Sequence, residues 1–171
     1  NFLKLIIAFG IGFILVVLAM PKVIPFLHKM KFGQVEREEG LESHKSKNGT
    51  PTMGGAFMMV ALVIGVALFA PWNVGTGMLL FLTLGHCLLG FFDDFVKAVK
   101  KRNLGLTAKQ KLLGQFILAA IFCYCITEIM VIPTTLWIPV ADIHLQLGWA
   151  YYVLAFLIIV GATNAVNLTD G

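Results

Sequence analysis

Two adjacent carboxylates end an apolar run near the middle of the chain. They are Asp93 and Asp94, in the stretch LGFFDDFVKAVKKRNLGLTAKQK. A carboxylate at membrane depth is costly, and acids in such positions are usually functional. Mg²⁺ is typically held by one or two protein carboxylates, with phosphates and water as its other ligands. The pair therefore indicates a site where a divalent metal meets phosphates; the alternative is that it only ends a membrane span.

The spacing of the two acids predicts different roles for them. Neighbouring residues on a helix point about 100° apart, because one turn takes 3.6 residues. We expect one carboxylate to bind Mg²⁺ and the other to orient a lysine or a substrate hydroxyl. Lys97 follows Asp93 by four positions and Asp94 by three, so it can share a helix face with either acid.

A basic loop follows the acids. It contains Lys97, Lys100, Lys101, Arg102, Lys109 and Lys111. Attachment to anionic lipid is one interpretation of this charge. Binding of substrate phosphates is a second function, which we expect of Lys97 and Lys109 because they lie closest to the apolar runs.

The stretch KNGTPTMGG, residues 47–55, precedes another apolar run. Two glycines that open a helix leave its first backbone N–H groups accessible, and such a terminus attracts anions. Lys47 and Thr52 would add a cation and a hydroxyl to it. Close packing of glycines between membrane helices is the alternative interpretation.

A third polar stretch, NAVNLTDG, occupies residues 164–171. Asn164, Asn167 and Asp170 are spaced three apart and lie on adjoining faces of a helix end. Amide groups can orient phosphate or sugar groups, and Asp170 can accept a hydrogen bond from a base or a ribose hydroxyl. Interhelical hydrogen bonding is the alternative.

The composition is that of a membrane protein. Hydrophobic residues make up 58% of the 171 residues and charged residues only 13%, about half the usual globular share. The basic residues lie in short loops between apolar runs, so nothing indicates nucleic-acid binding. The three cysteines lie inside apolar runs, where cysteine acts as a small hydrophobic residue.

Apolar runs of about 20 residues predict membrane-spanning helices. The fold class is therefore all-α, a polytopic integral membrane protein in which residues 1–171 form a single membrane domain with its N-terminus outside. Residues 133–147 are expected to form a short hairpin or a surface loop. The five predicted spans are about 2–24, 53–70, 76–93, 112–132 and 148–166.

The distribution of basic residues predicts the orientation. Of the 13 Lys and Arg residues, six lie in residues 22–47 and six in residues 97–111. The positive-inside rule places the corresponding loops, 28–52 and 94–111, in the cytoplasm. The loops at 71–75 and 133–147 contain no Lys or Arg and are predicted to be extracytoplasmic. All three polar stretches then share the cytoplasmic face.

Together, KNGTPTMGG, GFFDDFVKAVKKRNLGLTAKQK and NAVNLTDG resemble the phospho-N-acetylmuramoyl-pentapeptide-transferase family. This family belongs to the polyprenyl-phosphate N-acetylhexosamine-1-phosphate transferases, and the resemblance runs from about residue 22 to 171. It implies transfer of phospho-MurNAc-pentapeptide from its UDP carrier to undecaprenyl phosphate, giving lipid I and UMP. It also implies Mg²⁺ as cofactor, a role in peptidoglycan synthesis at the bacterial inner membrane, and a possible homodimer.

The resemblance also assigns roles to individual residues. Catalytic roles fall to Asp93, Asp94, Lys47, Lys97 and Lys109. Substrate binding falls to Thr52, Asn164, Asn167 and Asp170. The implied metal ligands are Asp93, Asp94 and Asp170.

The chain departs from the family pattern in length. The family fold has ten membrane helices, and five are predicted here, so this chain alone is expected to be inactive. A polyprenyl-phosphate GlcNAc-1-phosphate transferase remains an alternative of the same type. A transporter and a non-catalytic scaffold that binds lipid or a partner are alternatives of other classes.

Overall fold

The structure is a computed structural model that describes residues 2–30, 52–100 and 104–170. It is 79% helical, which confirms the predicted all-α membrane class. The helices are α1 (Phe2–Lys29), α2 (Gly54–Phe69), α3 (Val74–Lys100), α4 (Ala108–Tyr124) and α5 (Trp149–Asp170); a π-helical turn (Cys125–Ile129) continues α4, and β1 (Thr135–Ile138) and β2 (Ile143–Gln146) precede α5.

Four helices in the described part of the chain are long and apolar enough to cross a membrane. They are α1, α3, α4 with its π-helical turn, and α5. Helix α2 is apolar but has 16 residues, a length of roughly 24 Å at 1.5 Å per residue. Large apolar side chains lie exposed on these helices, for example Phe13 and Leu168. Such side chains are suited to contact with lipid.

Local sequence explains where several helices begin and end. Asn73 caps α3, because its Oδ1 accepts a hydrogen bond from the Thr76 N–H at 2.9 Å. Helix α2 ends just before Pro71, as a residue that precedes proline disfavours helix. Helix α1 continues through Pro21 and Pro25 to Lys29.

The first compact unit comprises residues 1–72 and 83–107. In it, α1 packs against α2. Val23 and Leu27 of α1 bury Met53, the residue that precedes α2, and Met20 packs against this cluster. Met53 has a φ of 72°, a left-handed conformation that costs a residue with a side chain about 1–2 kcal/mol. Burial of the Met53 side chain offsets that cost.

The second compact unit comprises residues 73–82 and 108–171. Helices α4 and α5 pack antiparallel in it: Asn164, late in α5, bonds to Gln115, early in α4, and Tyr152, early in α5, bonds to Thr127 in the π-helical turn that continues α4. Phe116 stacks on Phe156 with ring centroids 5.5 Å apart, and Ala119 and Cys123 are buried. The Cys123 side chain thus acts as a small hydrophobic residue, as predicted.

Residues 133–147 contain a β-hairpin, which confirms that alternative for this segment. Strands β1 and β2 pair antiparallel, with Thr135 opposite Gln146 and Ile138 opposite Ile143.

Candidate functional site

Asp93 is a buried carboxylate that accepts one backbone hydrogen bond and forms one ion pair. The Leu106 N–H donates a hydrogen bond to its Oδ1 at 2.8 Å, and Lys97 Nζ lies 2.7 Å from its Oδ2. A buried carboxylate is costly unless it is both hydrogen-bonded and paired with a cation. Both conditions are met here, so the two contacts fix the position of the Asp93 side chain.

Gly105 lets the backbone come this close to α3. A Cβ added at Gly105 would lie 2.8 Å from Asp93 Cγ and closer still to Asp93 Oδ1. Real Cβ atoms do not approach other atoms so closely, so a larger residue would push the chain away. We call Asp93, Lys97, Gly105 and Leu106 the Asp93 clasp.

The clasp joins two parts of the chain that sequence reasoning left separate. Its helix residues were predicted as site residues, whereas Gly105 and Leu106 were missed. A glycine inside the polar stretch KRNLGLT is the one signal that could have indicated a close backbone approach.

Asp94 has a different environment from Asp93. Its side chain is 33% exposed, against 8% for the Asp93 side chain. Lys97 Nζ lies 3.5 Å from Asp94 Oδ1, so the lysine contacts both acids, as its spacing predicted. Asp93 is the acid that orients the lysine, and Asp94 is the more accessible carboxylate.

This donor set fits a metal ion whose coordination is completed by substrate. Among the residues that the structure describes, no group of three His, Cys, Asp or Glu side chains could hold a metal ion. Mg²⁺ needs only one or two protein carboxylates when phosphates and water supply its other ligands. Asp94 meets that requirement through its exposure. The side chain of Asp170, the third predicted ligand, lies outside the described part of the structure.

Asn164 of α5 is held by α4. Its Nδ2 donates to Gln115 Oε1 at 2.7 Å and to the Val160 carbonyl at 2.8 Å. Gln115 is 6% exposed and is one of two buried polar residues found in the described ranges, with Asp93. These contacts favour the interhelical alternative for Asn164. Gln115 was missed by the sequence reasoning, although a glutamine in the apolar run KLLGQFILAA indicates a polar contact.

The remaining predicted site residues are placed as follows. Asn167 is exposed on α5, and Asp170 is the last residue of that helix. Thr52 is half-buried and comes two residues before α2. Lys109 is exposed in the first turn of α4, where a cation is not stabilised by the helix dipole. Lys47 lies outside the described residues.

Membrane-length helices and a clasped carboxylate near the end of α3 define a class: a polytopic α-helical membrane protein with a polar site at a helix end. The chain belongs to the family described as "Glycosyl transferase family 4", whose model matches residues 76–171. That range includes both acids, Lys97 and the polar end of α5.

Curated relatives match nearly the whole chain. It is 48% identical over 164 residues to "Phospho-N-acetylmuramoyl-pentapeptide-transferase" of Bacillus subtilis (strain 168), covering 94% of this chain and 50% of the relative. Proteins of the same name from Bacillus pumilus (strain SAFR-032) and Geobacillus sp. (strain WCH70) are 49% and 47% identical, over 94% and 98% of this chain. The chain spans about half the length of these relatives: 50% and 52% for the latter two.

Proposed function

We propose that the protein to which this chain belongs transfers phospho-MurNAc-pentapeptide from UDP-MurNAc-pentapeptide to undecaprenyl phosphate. The products are undecaprenyl-diphospho-MurNAc-pentapeptide (lipid I) and UMP. The observation that carries the proposal is 47–49% identity, over 94–98% of this chain, to curated proteins named for that transfer. The activity is proposed for a protein of the relatives' full length, with its site on the cytoplasmic face of the bacterial inner membrane.

The proposed reaction is a phosphoryl transfer between two anions. An oxygen of undecaprenyl phosphate attacks the phosphorus nearest the sugar and forms a new P–O bond. The bond from that phosphorus to the UMP oxygen breaks, and UMP leaves with the electron pair. Charge neutralisation and in-line alignment are the main tasks of the protein in such a transfer.

The two acids divide these tasks in the proposal. Asp93 acts as a positioning residue, because Lys97 and the Leu106 N–H hold both of its oxygens. Asp94 is the proposed Mg²⁺ ligand on this helix, because its side chain is the more exposed of the two. A bound Mg²⁺ would neutralise charge on the diphosphate.

A general-base role for either acid is less favourable. A phosphate monoester has a second pKa near 6, so the acceptor is already largely dianionic at neutral pH. No proton has to be removed from it before attack. The pair is therefore assigned to metal binding and positioning.

The other predicted residues act on the substrates. Lys97 is proposed to screen a substrate phosphate. Its ammonium group lies between the two carboxylates and therefore beside the proposed metal ligand Asp94. Lys47 and Lys109 are proposed to screen phosphates, and Thr52 to donate a hydroxyl near the start of α2. Asn167 and Asp170 are proposed to position the nucleotide or the metal. A homodimer in the bilayer is part of the same proposal.

The substrate is tested on the full-length protein in detergent with Mg²⁺ and undecaprenyl phosphate. UMP release is compared between UDP-MurNAc-pentapeptide and UDP-GlcNAc. Release from the first substrate alone is the expected result. Release from UDP-GlcNAc alone would assign the protein to the GlcNAc-1-phosphate transferases, and release from neither would contradict a transferase function.

A further inference from the structure

The β-hairpin has two chemically distinct faces. Cross-strand partners in an antiparallel pair lie on the same face, and successive residues alternate between faces. The pairs Leu136–Leu145 and Ile138–Ile143 therefore share one face, which we call the aliphatic face. Thr135–Gln146 and Trp137–His144 share the other, which we call the polar face.

The polar face is held together by its own side chains. The Thr135 hydroxyl donates to Gln146 Oε1, and Gln146 Nε2 donates to Thr134 Oγ1 at 3.1 Å. Trp137 stacks on His144 with ring centroids 6.2 Å apart. Trp137 Nε1 also donates to Asp142 Oδ1 at 3.0 Å. These side-chain contacts between the two strands stabilise the hairpin and the pairing of its residues.

The aliphatic face is exposed along its whole length. Its four side chains have between 36% and 46% of their surface accessible, and Val140 at the turn is fully exposed. Four neighbouring Leu and Ile side chains with no polar group among them are unfavourable in water. A surface of this kind commonly marks a site of contact with a partner or a membrane.

The position of the hairpin in the chain identifies the partner. Thr135 follows the π-helical turn at Ile129 by six residues, and Gln146 precedes Trp149 of α5 by three. Helices α4 and α5 are both long and apolar enough to cross a membrane. Their ends are therefore at a membrane boundary, and short connections hold the hairpin there. Trp149 is 79% exposed at the start of α5, and tryptophan is enriched at the interface between membrane and water.

We propose that the hairpin binds the bilayer surface, with the aliphatic face at the boundary between lipid headgroups and acyl chains. The polar face then points to water, where Gln146 and His144 remain hydrated and the half-exposed Trp137 ring keeps its contacts with His144 and Asp142. The ligand is the lipid of the same bilayer that α4 and α5 cross. This contact stabilises the connected ends of the two helices, and it is independent of the chemistry proposed at the Asp93 clasp.

The test uses neighbouring spin labels on opposite faces of β2. In the full-length protein, all native cysteines, including Cys87, Cys123 and Cys125, are replaced by alanine, and Leu145→Cys or Gln146→Cys is introduced. Each variant is labelled in lipid nanodiscs and its accessibility to oxygen and to a water-soluble nickel chelate is measured. Oxygen concentrates in lipid and the chelate in water, so the two probes separate the environments.

We expect the ratio of oxygen to chelate accessibility to be several-fold higher at position 145 than at position 146. Equal chelate accessibility at the two positions would overturn the proposal, because both faces would then be in the same environment. Protection of position 145 from both probes would also overturn it, because protein would then cover the aliphatic face. Leu136→Cys and Thr135→Cys repeat the comparison on β1, so the test survives if one variant fails to fold.

Discussion

The backbone N–H of Leu106 donates a 2.8 Å hydrogen bond to Oδ1 of Asp93, thirteen residues earlier in the chain. The segment between α3 and α4 is thereby attached to the helix that carries both acids. Lys97 balances the charge of the same carboxylate from within that helix. The clasp therefore explains how one acid is buried while its neighbour stays accessible.

Gly105→Ala tests the close approach in the clasp. The added Cβ would overlap Asp93, and overpacking of this kind costs about 1–3 kcal/mol. We expect a lower midpoint of thermal unfolding in detergent. Gly90→Ala on α3 is the matched control, because a Cβ there meets nothing within 4 Å. Equal midpoints for the two variants would show that Gly105 does not lie close to Asp93 in the protein.

Alanine substitutions should separate the roles of the two acids. Asp93→Ala leaves the Leu106 N–H without its acceptor, and an unsatisfied buried donor costs about 1–3 kcal/mol. Its unfolding midpoint should therefore fall. Asp94→Ala should keep a near-normal midpoint, because Asp94 is the more exposed acid. UMP release by Asp94→Ala should fall about 10²–10³-fold, the usual effect of removing one group that stabilises developing charge.

Rate measurements over a range of Mg²⁺ concentrations complete this comparison. Near-normal rates for Asp94→Ala at saturating Mg²⁺ would refute its assignment as a metal ligand. An unchanged midpoint for Asp93→Ala would refute its positioning role.

The contact between Gln115 and Asn164 can be measured by a double-mutant cycle. Leucine is introduced at each position singly and then at both, and unfolding is followed in detergent. Side-chain hydrogen bonds between membrane helices have coupling energies of about 0.6 kcal/mol on average and up to ~1.7. We expect a coupling in that range. Strictly additive effects would show that the two amides do not interact.

The two asparagines of α5 should differ in their kinetic effects. Asn164→Ala should lower the unfolding midpoint and leave KM for the UDP-sugar unchanged, because its amide bonds to Gln115 and Val160. Asn167→Ala should leave the midpoint unchanged, because that residue is exposed. Loss of one neutral hydrogen bond, about 0.5–1.5 kcal/mol, should raise the KM of Asn167→Ala for the UDP-sugar about two- to tenfold. A raised KM for Asn164→Ala and a lowered midpoint for Asn167→Ala would contradict these assignments, because Asn164 would then bind substrate and Asn167 would be structural.

Much of the fold could be predicted because it depends on local properties of the sequence. Long apolar runs predict membrane helices, and the alternating residues of 133–147 predicted a possible hairpin. The contact of Lys97 with both acids followed from helix periodicity. Each of these features depends on residues close together in the chain.

The features that were missed depend on contacts between distant residues. Gln115 lies 49 residues from Asn164, and nothing in the sequence specifies that pairing. The approach of Gly105 to Asp93 depends on the path of the backbone. Helix α1 continues through Pro21 and Pro25, since in membrane helices local adjustment and neighbouring groups can satisfy the freed backbone carbonyls.

The fate of the phosphorus nearest the sugar tests the central claim most directly. UDP-MurNAc-pentapeptide is labelled with ³²P at that position and incubated with the full-length protein, Mg²⁺ and undecaprenyl phosphate. We predict that the label appears in the lipid fraction and that unlabelled UMP is released. Label released into water, as UDP or inorganic phosphate, with none in the lipid fraction would contradict the proposed transfer.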